Sequence, residues 1–230
     1  MLSAHDLELL QNFGATEGFA IFLQPGGNST VHPLSGEAPK LAYALKPWDL
    51  ELEFKPLDFI QVNRGLNEKM IARALELLAP EPGERVLDLF CGLGNFTLPL
   101  ARVAQEVVGV EGEAGLVQRA CDNAARNGLN NVQFFAADLS QPLQGQTWAK
   151  QPYDRLLLDP ARSGADEVLK QLPLSGLKRI VYVSCHPGSL ARDAGWLVNE
   201  AGWVLKKAGV MDMFPHTAHV ESIAVFERGK

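Results

Sequence analysis

From Asn67 onward the chain alternates between short apolar runs and segments of helical spacing, a pattern that few architectures accept. A helix over Asn67–Leu78 is followed by the breaker Pro80-Glu81-Pro82-Gly83. Strand Arg85–Phe90, helix Asn95–Ala104, strand Val107–Glu111, helix Glu113–Asn127 and strand Val132–Ala137 come next. The series continues through strand Arg155–Asp159, helix Asp166–Leu172, strand Arg179–Cys185 and helix Ser189–Ala201. Short apolar strands joined by helices predict an α/β fold whose mostly parallel sheet is covered on both faces. Two final β runs, Trp203–Met211 and Ser222–Glu227, are joined by about ten residues. That is too few for a crossover helix, so they predict an antiparallel carboxyl-terminal hairpin at one edge.

Residues 1 to about 62 differ in texture. A short amphipathic helix, with Leu7, Leu10 and Asn12 near its middle, leads into β-like runs at Gly18–Leu23, Thr30–Pro33, Lys40–Leu45, Leu50–Lys55 and Phe59–Val62. Pro25-Gly26-Gly27-Asn28 is a turn between two of them. The expected organisation is therefore a small β-rich segment over 1–62 and an α/β domain over 63–230. With 47% hydrophobic residues among 230, the chain can bury one such core. No apolar run reaches the roughly 18 residues of a membrane span, and Met1-Leu2-Ser3-Ala4-His5-Asp6 lacks a signal-peptide pattern. Three cysteines without CxxC spacing argue against a disulfide framework or a zinc site, so a cytoplasmic setting and no metal are expected. The net charge of −6 leaves any nucleic-acid contact to a local basic patch or to another domain.

The stretch Val86-Leu87-Asp88-Leu89-Phe90-Cys91-Gly92-Leu93-Gly94-Asn95-Phe96-Thr97 is a buried strand ending in a Gly-x-Gly turn that opens a helix. A dinucleotide site is the obvious rival reading. Such sites favour a third glycine where this chain has Thr97, and they rarely need an acid inside the strand, whereas Asp88 sits four residues before Gly92. S-adenosylmethionine carries a cationic amino-acid end that a carboxylate suits. Glu111, at the end of the next strand, can accept the ribose hydroxyls, and Asp138, ending the third, can meet the adenine amino group. Three acids at the carboxyl ends of successive strands lie where open α/β sheets bind ligands. They predict a Rossmann-like, class I S-adenosylmethionine-dependent methyltransferase.

Cys185 ends a buried strand just before a helix N-terminus, and that dipole with His186 should favour its thiolate. The other two cysteines differ. Cys121 reads as a small buried hydrophobe beside Ala120 and Ala124, and Cys91 is equally compatible with a structural and a functional role. A methyltransferase needs a thiolate when its target is a pyrimidine carbon 5, because addition at carbon 6 makes carbon 5 nucleophilic. A base must then remove the carbon 5 proton. Glu221 is the first choice, with His219 and His216 as competitors. After Asp159-Pro160 stand Ala161-Arg162 rather than an aromatic residue that would stack a base, which disfavours methylation of an exocyclic amine. Asp159 can accept from base or cofactor, and Arg162 can hold a phosphate. Arg64, Lys69, Arg73 and Arg162 are candidates for a local basic face.

Phe59-x-Gln61-x-Asn63, Asp88-x-Phe90-Cys91-Gly92-x-Gly94-Asn95-Phe96, Asp159-Pro160-x-Arg162, Ser184-Cys185 and Phe214-Pro215-x-Thr217-x-His219-Val220-Glu221 occur in that order. Together they resemble the RNA uracil-5-methyltransferases, nearest to those acting on bacterial 23S ribosomal RNA. The resemblance implies Cys185 as nucleophile, Glu221 as base, and a cofactor pocket lined by Gln61, Phe90, Asn95, Glu111, Asp138 and Asp159. It implies S-adenosylmethionine as cofactor, ribosomal RNA as partner, no membrane partner, and a monomer. Full-length members place an RNA-binding β-barrel and a cysteine-ligated iron–sulfur cluster before the catalytic domain. This sequence matches neither, and Cys91 with Cys121 cannot make a four-ligand site. Residues 1–62 then resemble the truncated end of a central domain, and 63–230 the catalytic domain. A transfer-RNA substrate, or a cofactor-binding fragment inactive without its missing domains, are the alternatives.

Overall fold

Strands that are apolar on both faces must lie inside a sheet covered on both sides. In the computed structural model, which describes residues 2–229, they do. The elements are β1 (Phe22–Leu23), β2 (His32–Pro33), β3 (Leu41–Leu45), β4 (Leu50–Phe54), β5 (Arg85–Leu89), β6 (Glu106–Glu111), β7 (Val132–Ala136), β8 (Arg155–Leu158), β9 (Arg179–Ser184), β10 (Trp203–Met211) and β11 (Glu221–Arg228). The helices are α1 (Ala4–Glu17), α2 (Arg64–Leu78), α3 (Thr97–Ala101), α4 (Ala114–Arg126), α5 (Asp166–Leu169) and α6 (Pro187–Asn199). One seven-stranded sheet has the order β10-β11-β9-β8-β5-β6-β7. Its last five strands are parallel, and β11 runs antiparallel to both β9 and β10. The Rossmann-like α/β fold and the antiparallel hairpin are as expected. Every residue of β8 is buried, and Tyr182, Trp203 and Phe226 fill the core beside it.

The chain divides into two compact units, with cuts at Tyr43/Ala44, Leu52/Glu53 and Phe59/Ile60. In the smaller one, Ser3 and Asp6 cap α1 reciprocally, the Ser3 hydroxyl accepting from the Asp6 amide and the Asp6 carboxylate from the Ser3 amide. Of α1 only Gly14 is buried. β1 pairs with β2 as a short two-stranded sheet in this unit, and β3 pairs with β4 as another, whose strands the cuts at Tyr43/Ala44 and Leu52/Glu53 divide. Phe59–Val62 is not a strand. Its alternation of large apolar residues mimics one, but Phe59 and Val62 are 75% and 73% exposed and no neighbouring strand pairs with them.

In the larger unit, Asn63 caps α2 by accepting from the Leu66 amide. The inward stripe of α2 is Asn67, Met70, Ile71, Ala74, Leu77 and Leu78. β6 and β7 meet closely at Gly109, where a Cβ would lie 2.6 Å from the Phe134 ring and 3.0 Å from the Cys91 sulfur. At the amino ends of the parallel strands, Glu84 is 4% exposed and accepts from Arg155 at 2.7 and 3.2 Å and from Lys178 at 2.8 Å. These partners hold its carboxyl down at about 2 against the opposing effect of burial. The acid at this end of the sheet is paired with cations. Among the described residues, Asp88, Glu111, Asp159 and Glu221 at the other end form no ion pair.

Candidate active site

The carboxyl ends of the parallel strands, together with the start of antiparallel β11, present one row of side chains in sheet order. Glu221 opens β11, Cys185 follows β9, Asp159 follows β8, Asp88 lies in β5, Glu111 ends β6 and Asp138 comes two residues after β7. These six candidates are thus brought to one edge, each in or just after its own strand, while Gln61, Phe90 and Asn95 lie on the connecting segments.

At the β5 turn, the Phe90 and Cys91 amides both donate to the Val110 carbonyl, at 2.9 and 3.1 Å. Phe90 adopts φ 64°, a left-handed conformation that costs a non-glycine residue energy and occurs where a site demands it. Gly92 follows at φ 54°, and a Cβ there would meet nothing within 4 Å, so the loop borders open space. Glu111 fastens the loop by accepting from the Gly92 and Glu113 amides, both at 3.1 Å, through different oxygens. Each oxygen keeps a further lone pair. Asp138 is exposed and accepts from the Ser140 amide and hydroxyl, which hold its carboxyl below the usual range.

Asp88 is fully buried. Thr97 donates to one of its oxygens at 2.5 Å, and the other has no partner among the described residues. Burial above all, then the negative charges of Asp159 and Glu111, push it up to about 8 against the Thr97 bond. The carbonyl oxygen of Gln61 is likewise buried without a partner. Asn95 exchanges two hydrogen bonds with the buried Asn67, at 3.0 and 2.9 Å. Asn67 and Thr97 were not identified from sequence as site residues. The available signal was an apolar α2 stripe that begins with two amides, Asn63 and Asn67, four residues apart.

Beside this cradle lies the cysteine. Ser222 pairs with Ser184 across β11 and β9; the same register carried one residue further sets Glu221 against Cys185, and the Glu221 carboxyl acts on the Cys185 thiol. Glu221 is 4% exposed, and its carboxyl is pushed up by burial. Asp159 is pushed up to about 7, by burial and then by Glu221. It therefore links the two halves, acting on Asp88 on one side and on Cys185 on the other.

The Cys185 thiol is pushed up, by burial first and then by Glu221 and Asp159, which corrects the expectation of a preformed thiolate. The His186 ring is engaged elsewhere: its Nδ1 accepts from the Ser189 amide at 3.1 Å and caps α6. His219 is exposed, with its Nδ1 3.0 Å from an Arg162 guanidinium nitrogen, and His216 is exposed at φ 67°. Cys91 is buried and its thiol strongly raised. Cys121 is exposed rather than buried, because on α4 it is rotated away from the inward Ala120 and Ala124. On α2, Arg64 and Arg73 pair with Glu68 and Glu76, at 3.5 and 2.7 Å, while Lys69 is exposed. Of the four expected basic residues, Arg162 is the one acting on the cysteine.

Unpartnered buried acceptors, a carboxylate at the end of β6 and a backbone loop bordering open space fit a ligand that brings positive charge and hydroxyl groups. Raised carboxylates gathered at one edge are a mark of function, since folding alone would pair them as Glu84 is paired.

Comparison with known proteins follows the same lines. The family described as tRNA (Uracil-5-)-methyltransferase matches residues 46–229. The chain is 67% identical over 227 residues to the 23S rRNA (uracil(1939)-C(5))-methyltransferase RlmD of Stenotrophomonas maltophilia (strain R551-3), covering 99% of this chain and 51% of that protein. It is 66% identical, with the same coverage, to the protein of that name in Xanthomonas campestris pv. campestris (strain 8004). The chain thus spans about half the length of these curated relatives. Among solved structures, the Pyrococcus abyssi tRNA (uracil-54, C5)-methyltransferase in complex with S-adenosyl-L-homocysteine matches with a TM-score of 0.73 and 25% identity. The match covers 90% of this chain and 50% of that one. The fold is shared with M. jannaschii TYW2 in complex with AdoMet, at a TM-score of 0.63 and 19% identity over 91% and 94% of the two chains.

Proposed function

Because the chain belongs to the tRNA (uracil-5-)-methyltransferase family, we propose that it is the catalytic part of an enzyme that methylates carbon 5 of a uridine in 23S ribosomal RNA. The observation that carries this reading is the opposition of Cys185 and Glu221 on neighbouring strands, joined through Asp159 to the cradle around Asp88 and Glu111. The ribosomal target follows the names of relatives at 66–67% identity. Residues 1–62 would then close a domain that precedes the catalytic one, and preceding domains of the whole protein would help hold the RNA.

Gln61, Phe90, Asn95, Glu111, Asp138 and Asp159 would hold the cofactor, with Asp88 beneath the loop. When bound, S-adenosylmethionine supplies a sulfonium methyl group that a nucleophilic carbon can take. The chain's task is to make carbon 5 of uracil such a carbon. The Cys185 sulfur adds to carbon 6, and the electron pair of the 5,6 double bond moves toward the carbonyl, which leaves carbon 5 nucleophilic. After methylation Glu221 takes the proton from carbon 5. The double bond re-forms and the carbon–sulfur bond breaks, returning the pair to Cys185. A carboxyl raised by burial suits proton transfer near neutrality better than an ordinary carboxylate does.

Single-turnover methylation of a 23S ribosomal RNA fragment, with transfer RNA as control, tests the reading. Cys185→Ala should lose methylation while keeping S-adenosylhomocysteine binding. Glu221→Gln should accumulate a methylated RNA–protein adduct that resists reducing agents. Methylation by Cys185→Ala would overturn the covalent route. Adduct accumulation by His219→Ala with normal turnover by Glu221→Gln would move the base to His219.

A further inference from the structure

The cysteine of this site has a poor setting for ionisation. Two carboxyls, Glu221 on β11 and Asp159 after β8, act on it with the wrong sign, and the adjoining His186 is committed to the cap of α6. An addition step nevertheless needs the thiolate. Arg162 stands on the loop after β8 and reaches His219 on the loop before β11, and β9 lies between those two strands, so their contact crosses the end of β9 that Cys185 follows; from there its charge acts on the sulfur with the favourable sign. Its side chain is long and exposed, and would sample many rotamers if untethered. It is tethered: a guanidinium nitrogen lies 3.0 Å from Nδ1 of His219, in the loop that runs into Glu221. A guanidinium can only donate, so the imidazole nitrogen is the acceptor of this contact. His219 is in turn held by its backbone amide, which donates to the Thr217 hydroxyl at 3.1 Å, and by the Phe214 ring edge.

We propose that Arg162, clamped by His219, is the positioning residue that makes Cys185 ionisable, by supplying the positive charge that its carboxyl neighbours withhold. This rests on Cys185 being the nucleophile. In this role His219 neither removes the carbon 5 proton nor touches the sulfur. It fixes the direction of a cation, and the motif Phe214-Pro215-x-Thr217-x-His219 orients it. Ionisation releases the thiol proton to solvent and leaves the thiolate beside the guanidinium.

The test needs neither RNA nor cofactor, so its failure is separable from failure of the nucleophile assignment, which Cys185→Ala decides by loss of methylation. Alkylation of Cys185 by iodoacetamide is followed by peptide mass across pH 6–10, with exposed Cys121 in the same chain as internal standard. Arg162→Ala should move the Cys185 profile to higher pH and slow its alkylation at pH 8 by about three- to tenfold relative to Cys121, since thiolate fraction changes roughly tenfold per unit of pKa. His219→Ala should shift it the same way by a smaller amount, and Arg162→Lys should recover part of the loss. Glu221→Gln should shift it to lower pH. If Arg162→Ala does not fold, the Arg162→Lys and His219→Ala profiles decide. Wild-type profiles in the arginine and histidine variants, or a higher-pH profile in Glu221→Gln, would overturn the proposal.

Discussion

Replacement of Asp88 by Asn tests whether a buried, protonated carboxyl underlies the cofactor loop. With Asp88 at about 8, roughly nine chains in ten carry its proton at pH 7 and about one in ten at pH 9. A ligand ammonium near the unpartnered oxygen favours the carboxylate, so binding at pH 7 should expel that proton. Titration calorimetry of S-adenosylhomocysteine in two buffers of different ionisation enthalpy gives the number released. The wild type should lose about 0.9 more proton than Asp88→Asn at pH 7 and about 0.1 more at pH 9. The comparison is needed because Asp159, at about 7, can contribute protons of its own. Stability should follow the same group. The folded value lies above that of the unfolded chain, so unfolding releases a proton between about pH 4 and pH 8. The Asp88 contribution is complete below about pH 4 and declines by up to ~1.4 kcal/mol per unit until pH 8, whereas Asp88→Asn lacks this part of the decline and keeps the part that Asp159 contributes. Equal proton release by both proteins at pH 7, with parallel stability profiles, would refute the argument.

The opposite end of the sheet gives the opposite sign. Glu84→Gln strands the buried Arg155 and should cost about 3–5 kcal/mol in urea unfolding. Because Glu84 is held at about 2, its contribution is present above about pH 4.5 and is lost as pH falls through about 2, so the variant should lack that part of the acid transition. Asn67→Ala leaves Asn95 without its reciprocal partner and should weaken S-adenosylhomocysteine binding about fivefold by calorimetry, while Asn67→Gln should recover part of it. Gly109→Ala puts a methyl against Phe134 and Cys91 and should cost about 1–3 kcal/mol by thermal unfolding. An unchanged melting temperature would show that β7 yields freely.

Much of this was legible in residue order because the central strands are apolar on both faces and short, so each ends where its run ends. The same reasoning found the acids, since Asp88, Glu111 and Asp138 need only a place at a strand's end. What failed to show required knowledge of neighbours. Phe59–Val62 has the composition of a strand and no strand beside it. Cys121 sits among alanines in sequence but one position round the helix from the buried ones. His186 adjoins Cys185 in sequence, yet its ring turns to the amide of Ser189. Asp88–Thr97, Asn67–Asn95 and Arg162–His219 are pairs separated by 9, 28 and 57 residues, and no spacing rule announces them. The insertion of β11 between β9 and β10 is of the same kind. A hairpin at an edge follows from loop length, but which of its strands lies inward does not.

That insertion has a consequence for the order of events as the chain is made. β10 is synthesised before β11 yet among the described residues pairs with β11 alone, so neither closes onto β9 until β11 has left the ribosome. Cys185 emerges earlier and Glu221 opens the late strand. A nascent chain therefore holds the proposed nucleophile without the structure that aligns its base. With the proposed base on β11, the full two-step chemistry becomes available only once that strand has paired with β9.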